Sequence, residues 1–192
     1  KTRSGHMAED ARVRKTKQKL SAALVELLQE KGFSDITPAQ ICEKAGINRS
    51  TFYRNYKNTT QLKNEMENKI LKGVLWSGPV EDGAQCRKKI LEQLNYLREN
   101  REMFLALSSA GFREDIFDKI RDQSIDLALE HYPRYHGQVT QNDYNNRSIF
   151  CVCGVLELVR YWFMGGMIQN PEILADFLTD KIMQTLTSFR AE

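Results

Sequence analysis

Apolar residues recur along this chain at intervals of three and four positions, and this spacing predicts helices. The first stretch has the leucines Leu20, Leu24, Leu27 and Leu28. Similar patterns follow at residues 90–97, 103–107, 116–129, 142–164 and 171–189. No run alternates apolar and polar residues for long enough to predict a strand. We therefore expect an all-α fold with about nine helices in total.

Local signals divide the first third of the chain into four helices. A cation and a glycine at Lys31-Gly32 are typical of a helix end. Thr37 before Pro38 predicts an N-cap and a first helical residue, and the glycine of Ala45-Gly46 ends this second helix. Asn48 can cap a third helix, and Asn58, followed three positions later by a glutamine, opens a fourth with a capping box.

The second and third of these helices have the composition of a helix-turn-helix. Gly46 supplies a turn position that tolerates a left-handed backbone. We expect Cys42 at the close contact between the two helices. The residues expected to pack inward beside it are Ile41, Ala45, Ile47 and Phe52.

The third helix has side chains suited to the major groove of DNA on its other face. Arginine can bond a guanine edge, asparagine can pair with adenine, and threonine offers a hydroxyl and a methyl group. Tyr53, Tyr56 and Lys57 lie where hydroxyls and ammonium groups would meet phosphates, and Thr37 could do so from the preceding helix start. The predicted DNA-binding residues are Thr37, Asn48, Arg49, Ser50, Thr51, Tyr53, Arg54, Tyr56 and Lys57, and we expect Asn55 to face outward with them.

Charge is distributed unevenly along the chain. Residues 1–57 contain 12 Lys and Arg against 6 Asp and Glu, a net charge of +6, whereas the remainder has 16 against 19, a net charge of −3. A basic end favours nucleic acid as a partner. The alternative is a helical hairpin whose cations only keep its surface hydrated. Any one of these residues, taken alone, would favour this alternative. The glycine turn, the capping signals and the charge together favour DNA binding.

Residues 20–62 resemble the N-terminal domain of TetR-type transcriptional regulators, and their central stretch reads GFSDITPAQICEKAGINRSTFYRNYKNTTQL. The family pattern is matched by Ala45-Gly46-Ile47, Thr51-Phe52-Tyr53, Tyr56-Lys57 and Leu62. Cys42 departs from it, since the family usually has alanine there, but a thiol is of similar size. Residues 58–61 replace the usual acidic run after the lysine, which we expect to alter only the helix start.

This resemblance implies a divergent helical second domain that forms a homodimer through the last two helices and can hold a small-molecule effector. Residues 161–178 are also similar to the C-terminal region of regulators of dihydroxyacetone-kinase operons. The residues that the resemblance places around an effector pocket are Tyr96, Met103, Phe104, Phe117, Tyr161 and Trp162. Large side chains at helical spacing also fit a plain core, so this alternative stays open.

The predicted helix 142–164 supports the dimer independently, because it is apolar on most faces and must be covered on all sides. Pairing in a twofold four-helix interface would cover it, and twofold symmetry predicts a palindromic operator in double-stranded DNA.

The expected domains follow from these patterns. The Gly- and Pro-containing run WSGPVEDG, residues 76–83, is the natural boundary. We interpret residues 1–6 as an expression-tag remnant, 7–57 as the helix-turn-helix DNA-binding domain, 58–75 as a connecting helix, and 76–192 as the helical effector-binding and dimerisation domain.

Other classes of protein have less support. His131 and His136 flank a short loop without a nucleophile motif, metal spacing or phosphate-binding glycine run, so we expect neither an enzyme nor a metal or other cofactor. The four cysteines are few and irregularly spaced, which favours buried free thiols in the cytoplasm. The apolar run 149–164 is too short to cross a membrane. A remaining alternative is a helical interaction protein, or a regulator controlled by a partner protein without an effector.

Overall fold

A computed structural model of the chain describes residues 3–75, 80, 82–109, 115–131 and 138–189. Within these residues the chain forms nine α-helices and one turn of 3₁₀ helix (Phe33–Asp35), which confirms the all-α prediction. The helices are α1 (Arg3–Glu30), α2 (Pro38–Ala45), α3 (Arg49–Asn55), α4 (Thr59–Val74), α5 (Gly83–Glu99), α6 (Arg101–Ser109), α7 (Ile116–Leu129), α8 (Gln141–Met164) and α9 (Pro171–Ser188).

The chain packs as two compact units. The first comprises the residues up to Ile70 together with Glu102–Asp115, and the second comprises Leu71–Arg101 and the residues from Ile116 onwards. This division falls inside α4. The domain boundaries expected from the sequence stay a prediction, and most of the predicted break, residues 76–79 and 81, lies outside the described residues.

The leucines of α1 are buried in the core of the first unit, as their spacing predicts. α1 packs on α2, and α2 packs on α3. Lys44 of α2 reinforces the first contact with ion pairs to Glu26 and Glu30 of α1, at 3.2 and 3.0 Å. The core side chains of this unit include Leu20, Leu24, Leu28, Ile41, Phe52, Leu62, Ile70, Phe104 and Leu107.

Side-chain caps fix where two helices of this unit begin. The Thr37 hydroxyl accepts from the Gln40 amide at 3.4 Å, and the Gln40 side chain accepts from the Thr37 amide at 3.0 Å, which completes a capping box. At the start of α4 the Asn58 side chain accepts from the Gln61 amide at 2.9 Å. The Gln61 side chain accepts from the amide of Lys57, one residue before the expected partner, at 2.6 Å.

One of the expected helix signals is corrected and another is confirmed. Asn48 occupies the N-cap position of α3, but its side chain makes no capping hydrogen bond. α1 ends at Glu30, directly before Lys31-Gly32 as expected, and Gly32 follows with a φ of −64°, outside the left-handed region.

The second unit is built from α5 against α9 and α7 against α8, with α8 also packing on α9. Arg87 of α5 pairs with Asp176 of α9 at 2.5 Å, and the Tyr144 hydroxyl of α8 donates to the Ala128 carbonyl of α7 at 2.7 Å. The core side chains of this unit include Ile90, Leu94, Leu97, Ile120, Phe163, Leu174, Leu178 and Phe189.

The last turn of α4 is held closely against α5 within the second unit. The ring of Tyr96 lies where a Cβ on Gly73 would stand, so a side chain at residue 73 would overlap the ring. The Gln93 amide group donates to the Val74 carbonyl at 2.5 Å, which satisfies one of the carbonyls left free at a helix end. Glycine at residue 73 therefore permits this close helix contact.

Gly73→Ala should lower the free energy of unfolding by about 1–3 kcal/mol, because the added methyl group displaces the Tyr96 ring. Introduced into a Tyr96→Ala background, the same change should cost little, because the ring is gone and alanine favours the helix. Urea unfolding of the four proteins of this cycle measures the coupling. Additive effects of the two substitutions would show that the contact is not tight.

Candidate nucleic-acid interface

The turn between α2 and α3 has the backbone conformation that only glycine adopts readily. Gly46 has φ 63° and ψ 40°, in the left-handed region. The following amide, of Ile47, donates to the Cys42 carbonyl at 2.9 Å, and that of Gly46 donates to the Glu43 carbonyl at 3.2 Å. These bonds satisfy the end of α2 and turn the chain at once into α3.

The inward side of this hairpin is buried as the sequence predicts. Ile41 and Phe52 are fully buried, and Cys42 lies beside them. Burial raises the pKa of the Cys42 thiol, although the charge of Arg49 opposes this shift. An uncharged, buried thiol is a packing group and a poor nucleophile. Ala45 and Ile47 are half-buried at the edge of the same contact.

The outward side of α3 displays cations and hydroxyl groups to solvent. Asn48, Arg49, Ser50, Tyr53, Arg54 and Lys57 are exposed, and Thr51 is half-buried. Arg49, Arg54 and Lys57 form no ion pair with any side chain that the structure describes. Tyr53 is 58% exposed, and its ring meets Phe52 edge to face at 5.5 Å between centroids, which fixes the direction of its hydroxyl.

Two polar groups near this face are already engaged. The Asn55 side chain donates to the Thr51 carbonyl at 2.8 Å, so it is turned toward its own helix and not outward as expected. The Thr37 hydroxyl lies 3.3 Å from the Gln40 side-chain oxygen and takes part in the capping box. A phosphate reaching Thr37 would therefore compete with Gln40 for this hydroxyl.

The phosphate contact expected of Tyr56 does not fit the structure. Its side chain is only 2% exposed and cannot project toward a phosphate. Its hydroxyl donates to Glu65 at 3.0 Å, and Lys17 binds the other oxygen of the same carboxylate at 2.7 Å. The Lys17 ammonium also lies 5.3 Å from the centroid of the Tyr56 ring. We call these three residues the Tyr56 network.

The Tyr56 network fastens the end of α3 to α4 and α1. Burial first, and then the hydrogen bond to Glu65, raise the pKa of the Tyr56 hydroxyl, which keeps it a neutral donor. Lys17 and Glu65 are positioning residues that sequence reasoning missed. They are 48 positions apart, and no periodic signal in the sequence relates residues at such a distance.

The side chains predicted to line an effector pocket occupy different environments. Met103 and Phe104 belong to the first unit, where Phe104 is fully buried, and the other four belong to the second. Tyr161 is 76% exposed, which is inconsistent with lining an enclosed cavity. Trp162 is buried against the turn after α8, and its indole N–H donates to the Gln169 carbonyl at 2.8 Å.

The two other pocket predictions also have packing partners inside the second unit. Tyr96 covers Gly73, and Phe117 lies 5.5 Å from Phe163 with the Arg160 guanidinium over its ring. An open cavity of about 430 Å³ lies instead along α8, lined by Asn146, Ile149, Phe150, Cys153 and Gly154. It contains none of the six predicted residues.

Within the described part of the chain, no group of three or more His, Cys, Asp or Glu side chains could hold a metal ion. None of the described helices is long and apolar enough to cross a bilayer. All four thiols are free, with Cys42 and Cys86 buried and Cys151 and Cys153 partly exposed, so the expectation of burial holds for two of them. His136 lies outside the described residues.

A glycine-turned helix pair with unpaired cations and hydroxyls along its second helix defines a helix-turn-helix DNA-binding protein. The family model for bacterial regulatory proteins of the tetR family matches residues 20–66, and a second model, for the C-terminal region of transcriptional regulators, matches residues 85–184. The chain therefore belongs to the TetR family of DNA-binding transcriptional regulators.

Solved structures share this fold over most of the chain. The dihydroxyacetone kinase operon activator DhaS is 17% identical, with a TM-score of 0.61 over 91% of this chain and 96% of its own. NalD of Pseudomonas aeruginosa, the secondary repressor of the MexAB-OprM multidrug efflux pump, is 19% identical, with a TM-score of 0.63 over 90% and 97%. A TetR-like regulator from Rhodococcus sp. RHA1 is 20% identical, with a TM-score of 0.59 over 90% and 96%. No curated protein sequence matches the chain significantly.

Tyr56→Phe should lower the free energy of unfolding by roughly 1–2 kcal/mol, because it removes a partly buried hydrogen bond to a carboxylate. Tyr53→Phe is the matched control, since that hydroxyl is exposed, and it should change stability by less than about 0.5 kcal/mol. Chemical unfolding followed by circular dichroism measures both. Equal stability of the two variants would contradict the structural role assigned to Tyr56.

Proposed function

We propose that the protein binds a palindromic DNA operator as a homodimer and represses transcription there. The observation that carries this proposal is the outward face of α3, where Arg49, Arg54 and Lys57 are exposed and unpaired among the described side chains. Free cations next to exposed hydroxyls suit a helix that enters the major groove and grips the flanking phosphates.

The positions of these side chains support different roles. Arg49 and Ser50 stand in the first turn of α3, the part of a recognition helix that contacts base edges in helix-turn-helix complexes. Lys57 follows the Tyr56 C-cap and is exposed, which suits a phosphate beside the groove. Because the neighbouring Tyr56 is buried, the backbone that carries Lys57 is held in a fixed place.

A second copy of this chain is the partner that best fits the exposed apolar side chains of α8 and α9. On α8, exposed residues repeat every three or four positions and include Phe150, which is 83% exposed. The stripe continues through Gly154, Glu157, Tyr161 and Met164. On α9, Ile173 and Phe177 are also exposed.

The open cavity along α8 supports the same pairing. It lies beside Phe150 and reaches the exposed Gly154, where the lack of a side chain lets another helix approach closely. A large aromatic side chain next to such a hollow suits a twofold interface, in which each Phe150 could enter the hollow of its partner. Exposed apolar surface of this kind, here interrupted by Glu157, marks an interaction site.

Twofold pairing explains why the operator should be palindromic. Two copies of α3 related by a twofold axis read the same bases on opposite strands, about 34–36 Å or a multiple of this apart. A dimer covering such a length of promoter would exclude other proteins from it, which is why we propose repression. The effector pocket expected from the sequence stays a prediction.

Lys57→Ala should weaken operator binding to a similar extent for all DNA sequences, because a phosphate contact has no base preference. It should lower the dependence of log K on log salt concentration by about one unit per lost contact. Arg49→Ala should instead relax the base preference at one position per half-site. Fluorescence anisotropy with operator variants at several salt concentrations distinguishes them, and identical base preferences for wild type and Arg49→Ala would reject base reading by Arg49.

Phe150→Glu should convert the dimer into a monomer at micromolar concentration, because a charge would be buried in the paired surface. Tyr53→Glu is the matched control, since it introduces the same charge at an exposed aromatic residue of α3. It should leave the dimer intact. Light scattering measures the mass of both, and a monomeric wild type or a dimeric Phe150→Glu variant would contradict the interface.

Selection of bound DNA from a random library by the purified protein tests the function itself. The enriched sequences should contain two inverted half-sites, and a reporter downstream of them should be silenced when the protein is expressed. Repeating the selection with cell extract shows whether a metabolite releases the DNA. Enrichment of no sequence, or activation of the reporter, would contradict the proposal.

A further inference from the structure

α1 carries a dense run of positive charge that the predicted interface does not include. Residues 11–25 contain five Lys and Arg and no Asp or Glu. The cations are Arg12, Arg14, Lys15, Lys17 and Lys19. Even when the preceding acids at residues 9 and 10 are counted, residues 9–19 have a net charge of +3. A local excess of one sign attracts a partner of opposite charge.

The first part of this run is a helical turn whose residues are all exposed, although Val13 is only 41% exposed. Residues 11–15 are all exposed, and this length exceeds one full turn of α-helix. Leu20 is the first side chain of α1 that is buried in the first unit, among those the structure describes. We call residues 11–15 the basic turn of α1. Its cations therefore point in several directions around the helix.

The cations of the basic turn are not neutralised by the protein surface that the structure describes. Arg12, Arg14 and Lys15 form no ion pair or hydrogen bond with a described side chain. Lys17, one turn further along, differs, because Glu65 binds its ammonium group at 2.7 Å. Lys17 is thus used to hold the fold, whereas the three charges of the basic turn are available for a partner.

The basic turn begins close to the C-terminal end of α3, the proposed recognition helix. Lys17 lies against the ring of Tyr56, the C-cap residue of α3, and Lys57 follows directly. An α-helix rises 1.5 Å per residue, so residues 12–15 lie about 3–8 Å further along the axis of α1 than Lys17. The basic turn thus begins beside the end of α3 that carries the proposed phosphate contact.

We propose that the basic turn of α1 binds phosphates of duplex DNA that flank the bases read by α3. This inference rests on the proposed function and extends it to a second contact surface. Duplex DNA carries one negative charge per roughly 1.7 Å of axis, so exposed cations beyond the end of α3 meet phosphates without any base-specific geometry. The basic turn therefore adds affinity and not base preference.

The test compares the wild type with a triple variant, Arg12→Gln, Arg14→Gln and Lys15→Gln, on the selected operator. One duplex extends about one turn, roughly 10 base pairs, beyond each half-site, and the other is trimmed to the half-sites. On the extended duplex the salt dependence of log K should fall by about 0.9 for each lost phosphate contact, hence by about 2 or more for the two subunits of a dimer. On the trimmed duplex the two proteins should bind almost equally.

Two further variants make this result specific. Lys72→Gln, Lys88→Gln and Arg101→Gln remove three exposed cations elsewhere in the chain and should leave the salt dependence close to that of the wild type. Arg12→Lys with Arg14→Lys should also preserve it, because a phosphate accepts either cation. Circular dichroism should show the same melting temperature for all, since these side chains are exposed.

The outcomes separate this inference from the function on which it rests. Normal wild-type binding, with an unchanged salt dependence in the triple variant or an equal loss on both duplexes, would overturn the role of the basic turn and leave the proposed function standing. Absence of any wild-type binding to selected DNA would overturn both.

Discussion

The geometry of the proposed DNA-binding face depends on the Tyr56 network. Tyr56 ends α3, and its buried hydroxyl donates to Glu65 of α4, which in turn binds Lys17 of α1. These bonds join three helices at one point, so α3 cannot shift without breaking a partly buried hydrogen bond to a carboxylate. Breaking such a bond costs about 1–3 kcal/mol. Lys57, the next residue, is exposed because the chain leaves the core there.

The cations of the first unit fall into two groups that differ in their partners. Lys17 and Lys44 each bind a carboxylate of another helix, and these two pairs join α1 to α4 and α2 to α1. Lys63 binds a carboxylate one turn further along α4. The cations on α3 and on the basic turn of α1 have no such partner among the described side chains. These unneutralised charges lie where we propose DNA to bind. This distribution explains how one small unit can be both stable and strongly attracted to a polyanion.

Much of the fold follows from local signals in the sequence. The spacing of leucines, the Thr37 cap and Gly46 predict the helices and the turn because each acts within a few residues. The sequence does not predict the burial of Tyr56, because this burial depends on Glu65 and Lys17, which approach it only in the folded chain. The orientation of the Asn55 side chain is not predicted either, since the residue type does not reveal whether the side chain turns to its own backbone.

The pocket prediction shows the same limit on a larger scale. Tyr161 and Trp162 are neighbours on an apolar helix, yet one is exposed and the other is buried. Periodicity cannot decide which face of such a helix meets its own chain and which meets a partner, because both faces are apolar. The exposed face of α8 becomes visible only when the packing of α7 and α9 is known.

The central claim is that two copies of α3, held by two Tyr56 networks, read one symmetric operator. Hydroxyl-radical footprinting of the selected DNA tests this most directly. The account predicts two equivalent protected regions whose centres lie about 10–10.5 base pairs, or a multiple of this, apart. A single protected region, or two regions of unequal sequence and arbitrary spacing, would contradict it.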